Sequence, residues 1–154
     1  MHLAGSCYCN AVRFECEAYA PAPYMRCHCS ICRKTAGGGG FAINLGARAD
    51  SLKVEGKEHI TVFHAVIDGK ESLAERRFCS KCGSALWQCD PRWPDLVHPF
   101  ASAIDTPLPE PPEQVHIMLG SKPAWVRNDA RTGEAQHDTY PTQSLEEWHK
   151  AQGL

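Results

Sequence analysis

Seven of the nine cysteines in this chain fall into three tight clusters: Cys7 and Cys9; Cys27, Cys29 and Cys32; Cys79 and Cys82. Strand side chains repeat every two residues, so a C-x-C pair on a strand puts both sulfurs on one face. A C-x-x-C turn followed by glycine, as in "FCSKCG", makes a knuckle whose two sulfurs point at one centre. Either pair is half of a tetrahedral zinc site. The triplet "CHCSIC" uses both spacings at once and can offer three sulfurs to one metal.

Seven ligands divide naturally into four and three. A four-sulfur site is closed and structural, whereas a three-sulfur site keeps a position open for an exchangeable or reacting ligand. Spacing alone does not say which two pairs close the first site. The triplet could instead join Cys79 and Cys82 as a zinc ribbon, or His28 could complete a second structural site. A thioredoxin-like redox pair would need a strand-to-helix setting that this sequence lacks. Cys16 and Cys89 have no partner at ligand spacing and read as small buried hydrophobes on strands.

The rest of the composition favours metal over disulfides. Nine is an odd number, so a full set of bridges would leave one thiol over. The opening "MHLAGSCYCN" lacks a charged region followed by an apolar one, and no apolar run approaches the roughly 20 residues that span a bilayer. The expectation is a cytoplasmic protein without a membrane partner, where thiols stay reduced. The net charge of −2 and the absence of a basic stretch argue against a nucleic-acid partner. A chain of 154 residues can bury roughly two-thirds of its unfolded surface, so one core over 1–154 needs no staple to form.

Outside the clusters the chain reads as short strands broken by turns. In "AVRFECEA" (11–18) Val12, Phe14 and Cys16 alternate with Arg13, Glu15 and Glu17, the period of a half-buried strand. Residues 59–66 are β-branched and aromatic, and 75–89 read as strand, turn at Lys81 to Ser84, and strand. Residues 97–104 and 115–120 suggest two more strands, with Pro99 putting the first at an edge or a bulge. Four prolines in "DTPLPEPPE" make 105–113 a loop between strands. "GGGG" (37–40) reads as a mobile loop that could double as an anion nest.

Two helices are expected. One is short and follows Ser30. The other is "SLEEWHKAQG", where Ser144 and Glu147 form a capping box and Gly153 stops the helix. His64, His98 and His116 lie in apolar strands and read as satisfied histidines, not bases. Trp87, Trp93, Trp125 and Trp148 read as core or pocket wall, with Trp93 at a pocket mouth.

These segments together resemble the glutathione-dependent formaldehyde-activating enzymes and their centromere-protein-V-like relatives. The matching stretches are "GSCYC" with "VRF", "CHCSICRKTAG", "RRFCSKCGSALW", "ASAID", "HIMLGSKPAWV" and the tail "YPTQSLEEWHKAQGL". The resemblance implies a mainly β architecture of the β-tent type, with antiparallel sheets and zinc-binding knuckles. It assigns Cys7, Cys9, Cys79 and Cys82 to a structural zinc and Cys27, Cys29 and Cys32 to a catalytic one, two zincs per chain. The activity it implies joins formaldehyde to glutathione, a carbon–sulfur lyase reaction read in reverse. The family usually has Gly where this chain has Asn10, and Asn tolerates the left-handed region better than most residues.

The chemistry of a three-thiolate zinc fits this expectation. Three negative charges on a dication leave the site a poor generator of hydroxide, which argues against a water-activating hydrolase. The deaminase signature is also missing. A soft metal with an open position suits a soft ligand, the thiol of a glutathione-like tripeptide, held beside a small aldehyde. Arg33 and Lys34 directly follow the last ligand and are the expected carboxylate-binding pair. The rival expectations are a non-catalytic zinc module and a thiol or zinc sensor.

Overall fold

The computed structural model describes residues 1–18 and 22–153, so the last residue of the tail segment, Leu154, lies outside it. Among the described residues, eleven strands form three small sheets. The first has the order β1-β2-β6, from β1 (His2–Ser6), β2 (Arg13–Glu17) and β6 (Lys53–Glu55). The second has the order β5-β10-β9-β8-β7, from β5 (Ala47–Arg48), β7 (Ile60–Ile67), β8 (Lys70–Cys79), β9 (Ala85–Cys89) and β10 (Leu96–Pro99). The third has the order β11-β3-β4, from β3 (Tyr24–Cys27), β4 (Ala42–Asn44) and β11 (Gln114–Ile117). The helices are α1 (Ser30–Ala36) and α2 (Leu145–Gln152). The chain is thus mainly β with largely antiparallel sheets, as expected, but β11 runs parallel to β3.

The alternation in β2 is realised: Phe14 and Cys16 are buried while Arg13, Glu15 and Glu17 face water. Phe14 meets Trp87 of β9 with ring centroids 5.1 Å apart, a tilted contact that joins the first sheet to the second. Opposite Phe14 on β1 stands Gly5, where a Cβ would lie 2.4 Å from the Phe14 ring. Only glycine lets the ring lie against that backbone, two residues ahead of Cys7. A second apolar cluster gathers Cys27, Cys32, Ala42, Phe100, Val115 and Ile117 around the end of the third sheet.

Some details differ from the sequence pattern. The strand read over 97–104 ends at Pro99, and Ala101–Ala103 form a 3-10 turn. Pro99 is not on an edge strand, because β5 lies beyond β10. That neighbour is only two residues long and pairs with Leu96 and Val97, so the ladder stops before the proline. The strand read over 115–120 ends at Ile117, because Met118 takes a left-handed φ of 60° and a turn follows at Leu119–Ser121.

The glycine run is not featureless. A Cβ on Gly37 would strike the Phe41 carbonyl, and Gly40, at a φ of 94°, lies against Val126 and the rim of Trp125. Trp125 is 67% exposed, unlike the buried Trp87 and Trp148. Trp93 is half exposed at an open groove of about 570 Å³ that it shares with Trp87, Cys89 and Val97. Residues 105–113 form the expected loop. The capping box at Ser144 and Glu147 and the left-handed Gly153 bound α2, whose buried Trp148 donates its indole N–H to Glu113 at 2.5 Å.

Candidate metal centres

All nine cysteines are free, and seven of them gather into two groups. Within each group the sulfurs lie within 4.8 Å of one another. The first group is Cys7, Cys9, Cys79 and Cys82; the second is Cys27, Cys29 and Cys32. The two pairs, not the triplet and a pair, therefore close the four-sulfur cluster.

Two knuckles of similar build make that first group. After Cys9 the chain turns through Asn10 at a φ of 58°, and the Asn10 N–H donates to the Cys7 carbonyl at 2.9 Å. The Val12 N–H donates to Cys7 Sγ at 3.3 Å. After Cys82 the chain turns through Gly83 at a φ of 74°, whose N–H donates to the Cys79 carbonyl at 2.8 Å. Asn10 thus adopts the left-handed turn that glycine supplies in the other knuckle. Ser84 ties the two together: its Oγ accepts from the Tyr8 N–H at 3.1 Å and lies 3.2 Å from Cys82 Sγ. Contact with Ser84 brings the Cys82 thiol down to about 6.

The triplet is assembled where β3 runs into α1. Cys27 is the last residue of β3, Cys29 caps α1, and Cys32 lies in its first turn. Cys29 Sγ accepts from the Cys32 N–H at 3.3 Å, the role that Ser or Asp plays at an ordinary helix start. Cys27 and Cys32 are buried and Cys29 is partly open to solvent. Hydrogen bonds from Cys27 and Cys32, then from backbone N–H groups, pull the Cys29 thiol down to about 2. The same contacts drive Cys27 far up. One thiolate is therefore favoured at Cys29, and further thiolates need a cation to share. A soft divalent ion fits this donor set, because it replaces the shared protons and balances the sulfurs.

No His, Asp or Glu donor atom joins the triplet among the described residues. His28, between two of the cysteines, turns its ring away. It stacks on His116 with centroids 6.0 Å apart and touches Phe41. Burial, then the neighbouring His116, lowers His28 to about 4 and keeps it neutral. His116 in turn lies 3.2 Å from Glu134, and His98 is held by the Leu45 carbonyl, so neither faces the sulfurs as a free base.

Arg33 and Lys34 both lie on α1, just past Cys32. Lys34 is exposed. Arg33 is half-buried, and its Nε has no hydrogen-bond partner among the described residues.

Two further residues escaped the sequence reading. Arg76, within "RRF", is buried in β8 with Nη2 3.9 Å from Cys32 Sγ. The available signal was an arginine at an inward position three residues before a ligand. Tyr140 is the other. Met118 N–H donates to the Thr139 carbonyl and His28 N–H to the Ile117 carbonyl, both at 3.0 Å, so Tyr140 and the triplet flank the same end of β11. Tyr140 is 66% exposed. Partial desolvation, then the charge of Cys27, Cys29 and Cys32, raises the phenol, against an opposing pull from Arg92. It opens the tail segment "YPTQSLEEWHKAQGL", but spacing and composition there point to no role for it.

The family model described as glutathione-dependent formaldehyde-activating enzyme matches residues 2–137. A Halomonas elongata protein named "Putative glutathione-dependent formaldehyde-activating enzyme" is 58% identical over all of this chain and 98% of its own length. A crystal structure of a Rhodobacter sphaeroides protein shares the fold with a TM-score of 0.56, at 24% identity, over 89% of this chain and 99% of that one.

Proposed function

This chain belongs to the glutathione-dependent formaldehyde-activating enzyme family, and on that basis we propose that it joins the thiol of glutathione to formaldehyde, or releases formaldehyde from the adduct as a carbon–sulfur lyase. Two zinc ions serve it. Cys7, Cys9, Cys79 and Cys82 hold a structural zinc that clamps the chain's start to the β8–β9 turn. Cys27, Cys29 and Cys32 hold the second. A zinc there would supply a position for the incoming thiol and lower that thiol's pKa. The observation that carries the reading is the convergence of three sulfurs with no fourth protein donor among the described residues.

The chain's own residues do the rest. Arg33, with its unpartnered buried Nε, and the exposed Lys34 take glutathione carboxylates and set the thiol over the triplet. Tyr140 keeps its proton at neutral pH and donates a hydrogen bond to the aldehyde oxygen. As the sulfur–carbon bond forms, the carbonyl π bond breaks. Its oxygen takes up a proton and becomes the hydroxyl of S-hydroxymethylglutathione, while the thiol proton leaves to water. Holding both reactants over one site converts an encounter of two solutes into a positioned reaction. Nine reduced cysteines suit a cytoplasmic setting.

The test is to count zinc per chain and then follow formaldehyde consumption with and without glutathione. Two zincs and glutathione-dependent loss of formaldehyde are expected. Two zincs with glutathione binding but no turnover would leave a sensor in place of an enzyme.

A further inference from the structure

Burying an arginine is costly unless something of opposite charge faces it. Arg76 is only 9% exposed, and its Nε has no hydrogen-bond partner among the described residues. Its flanking residues across the sheet are Phe63 on β7 and Gln88 on β9, neither of them charged. The contact found for it is Cys32 Sγ, 3.9 Å from Nη2. A buried guanidinium is thus set against the most deeply buried side of the triplet.

Charge counting gives the contact a meaning. Three thiolates around a divalent cation leave one negative charge in excess. One guanidinium cancels it. The four-sulfur group carries a larger formal excess, but Cys9 and Cys82 are exposed and water screens them. The triplet, packed among Ala42, Phe100, Val115 and Ile117, lacks that screening on its inner side. We infer that Arg76 is a positioning residue for the Cys27, Cys29 and Cys32 centre: it is the built-in counter-charge that keeps a dication on three thiolates, two of them buried, while the outer side stays free for substrate. The inference rests on the proposed second zinc and adds what retains it.

The role is specific to a fixed positive charge. A guanidinium reaches the sulfur with planar N–H groups and stays protonated at any working pH. It also leaves Cys29, the most exposed of the three, on the side that a thiol would approach. Partners of this kind change metal affinity when removed, with little effect on the fold if the side chain's volume is kept.

The experiment loads the full chain with zinc and competes it against a chromophoric chelator. Arg76→Met is expected to release the second zinc about tenfold more readily, with the first unchanged. Arg76→Lys, which keeps the charge, should fall between Arg76→Met and the parent. Two zincs in the parent with equal affinities in Arg76→Met overturn the inference alone. So does parallel loss at both sites in Arg76→Met and Arg76→Lys, which marks a purely structural role. A parent that binds one zinc overturns the proposed function itself. Should Arg76→Met fail to fold, Cys32→Ser and Cys29→Ser decide, each melted with the first zinc retained. Removing Cys32 strands the guanidinium, so its variant should melt lower, and equal melting would refute the contact's importance.

Discussion

Cys9 and Cys79 are 70 residues apart in the chain, yet their sulfurs lie 3.8 Å from each other. That closure joins the turn after β1 to the turn after β8, and with it the first sheet to the second. The same two loops also meet where Ser84 Oγ accepts from the Tyr8 N–H.

Cys79→Ser should therefore be a folding lesion. Zinc–thiolate sites contribute on the order of 10 kcal/mol to small domains, and Cys79 is fully buried. The variant is expected to aggregate, or to melt far below the parent with one zinc lost. Thermal melting with a zinc count checks it, and unchanged melting would reject the structural assignment.

Cys29→Ser should behave differently. Serine is a good helix cap, so the hydrogen bond from the Cys32 N–H to residue 29 survives the change and α1 persists. The second zinc should go, and glutathione-dependent turnover with it, while the first zinc and the far-ultraviolet spectrum stay. Retained turnover would end the case for this site.

Tyr140→Phe removes only a hydroxyl. If that group donates to the aldehyde oxygen, turnover should fall about 100-fold, the scale of a lost proton donor. Zinc content and melting should not move. The phenol's ionisation is raised, so the proton is present at neutral pH and is lost only as pH climbs through the raised value. The parent's rate should accordingly drop on the alkaline side, and the variant should lack that drop.

Arg33→Ala should show itself in binding. A charge-assisted hydrogen bond is worth about 1.5–3 kcal/mol, so KM for glutathione should rise roughly 10- to 100-fold with kcat nearly constant. A KM within twofold of the parent would remove Arg33 from the substrate-binding pair.

Much of the molecule was legible in the residues because its strongest signals are local. The period-two alternation of Val12, Phe14 and Cys16 marks a half-buried strand, and all three are buried. The Ser144 and Glu147 box and Gly153 fix α2 from within ten residues of sequence. Asn10 could be read as left-handed because its side chain is short and polar, and it is.

Local rules failed where a neighbouring element decided. Pro99 lies inside a sheet because its neighbour β5 ends two residues earlier, a fact of another strand's length. β11 lies parallel to β3 through a connection that no window of sequence spans.

By itself, then, the sequence determined the ligand spacings, the turns that aim them and the two helices, since these depend on backbone geometry over a few residues. Which pairs gather together, that Arg76 lies against Cys32 and that Tyr140 and the triplet flank one end of β11 were decided only by tertiary structure. Those relations join residues tens of positions apart, and the electrostatics of burial that give them meaning exist only once the chain has excluded water.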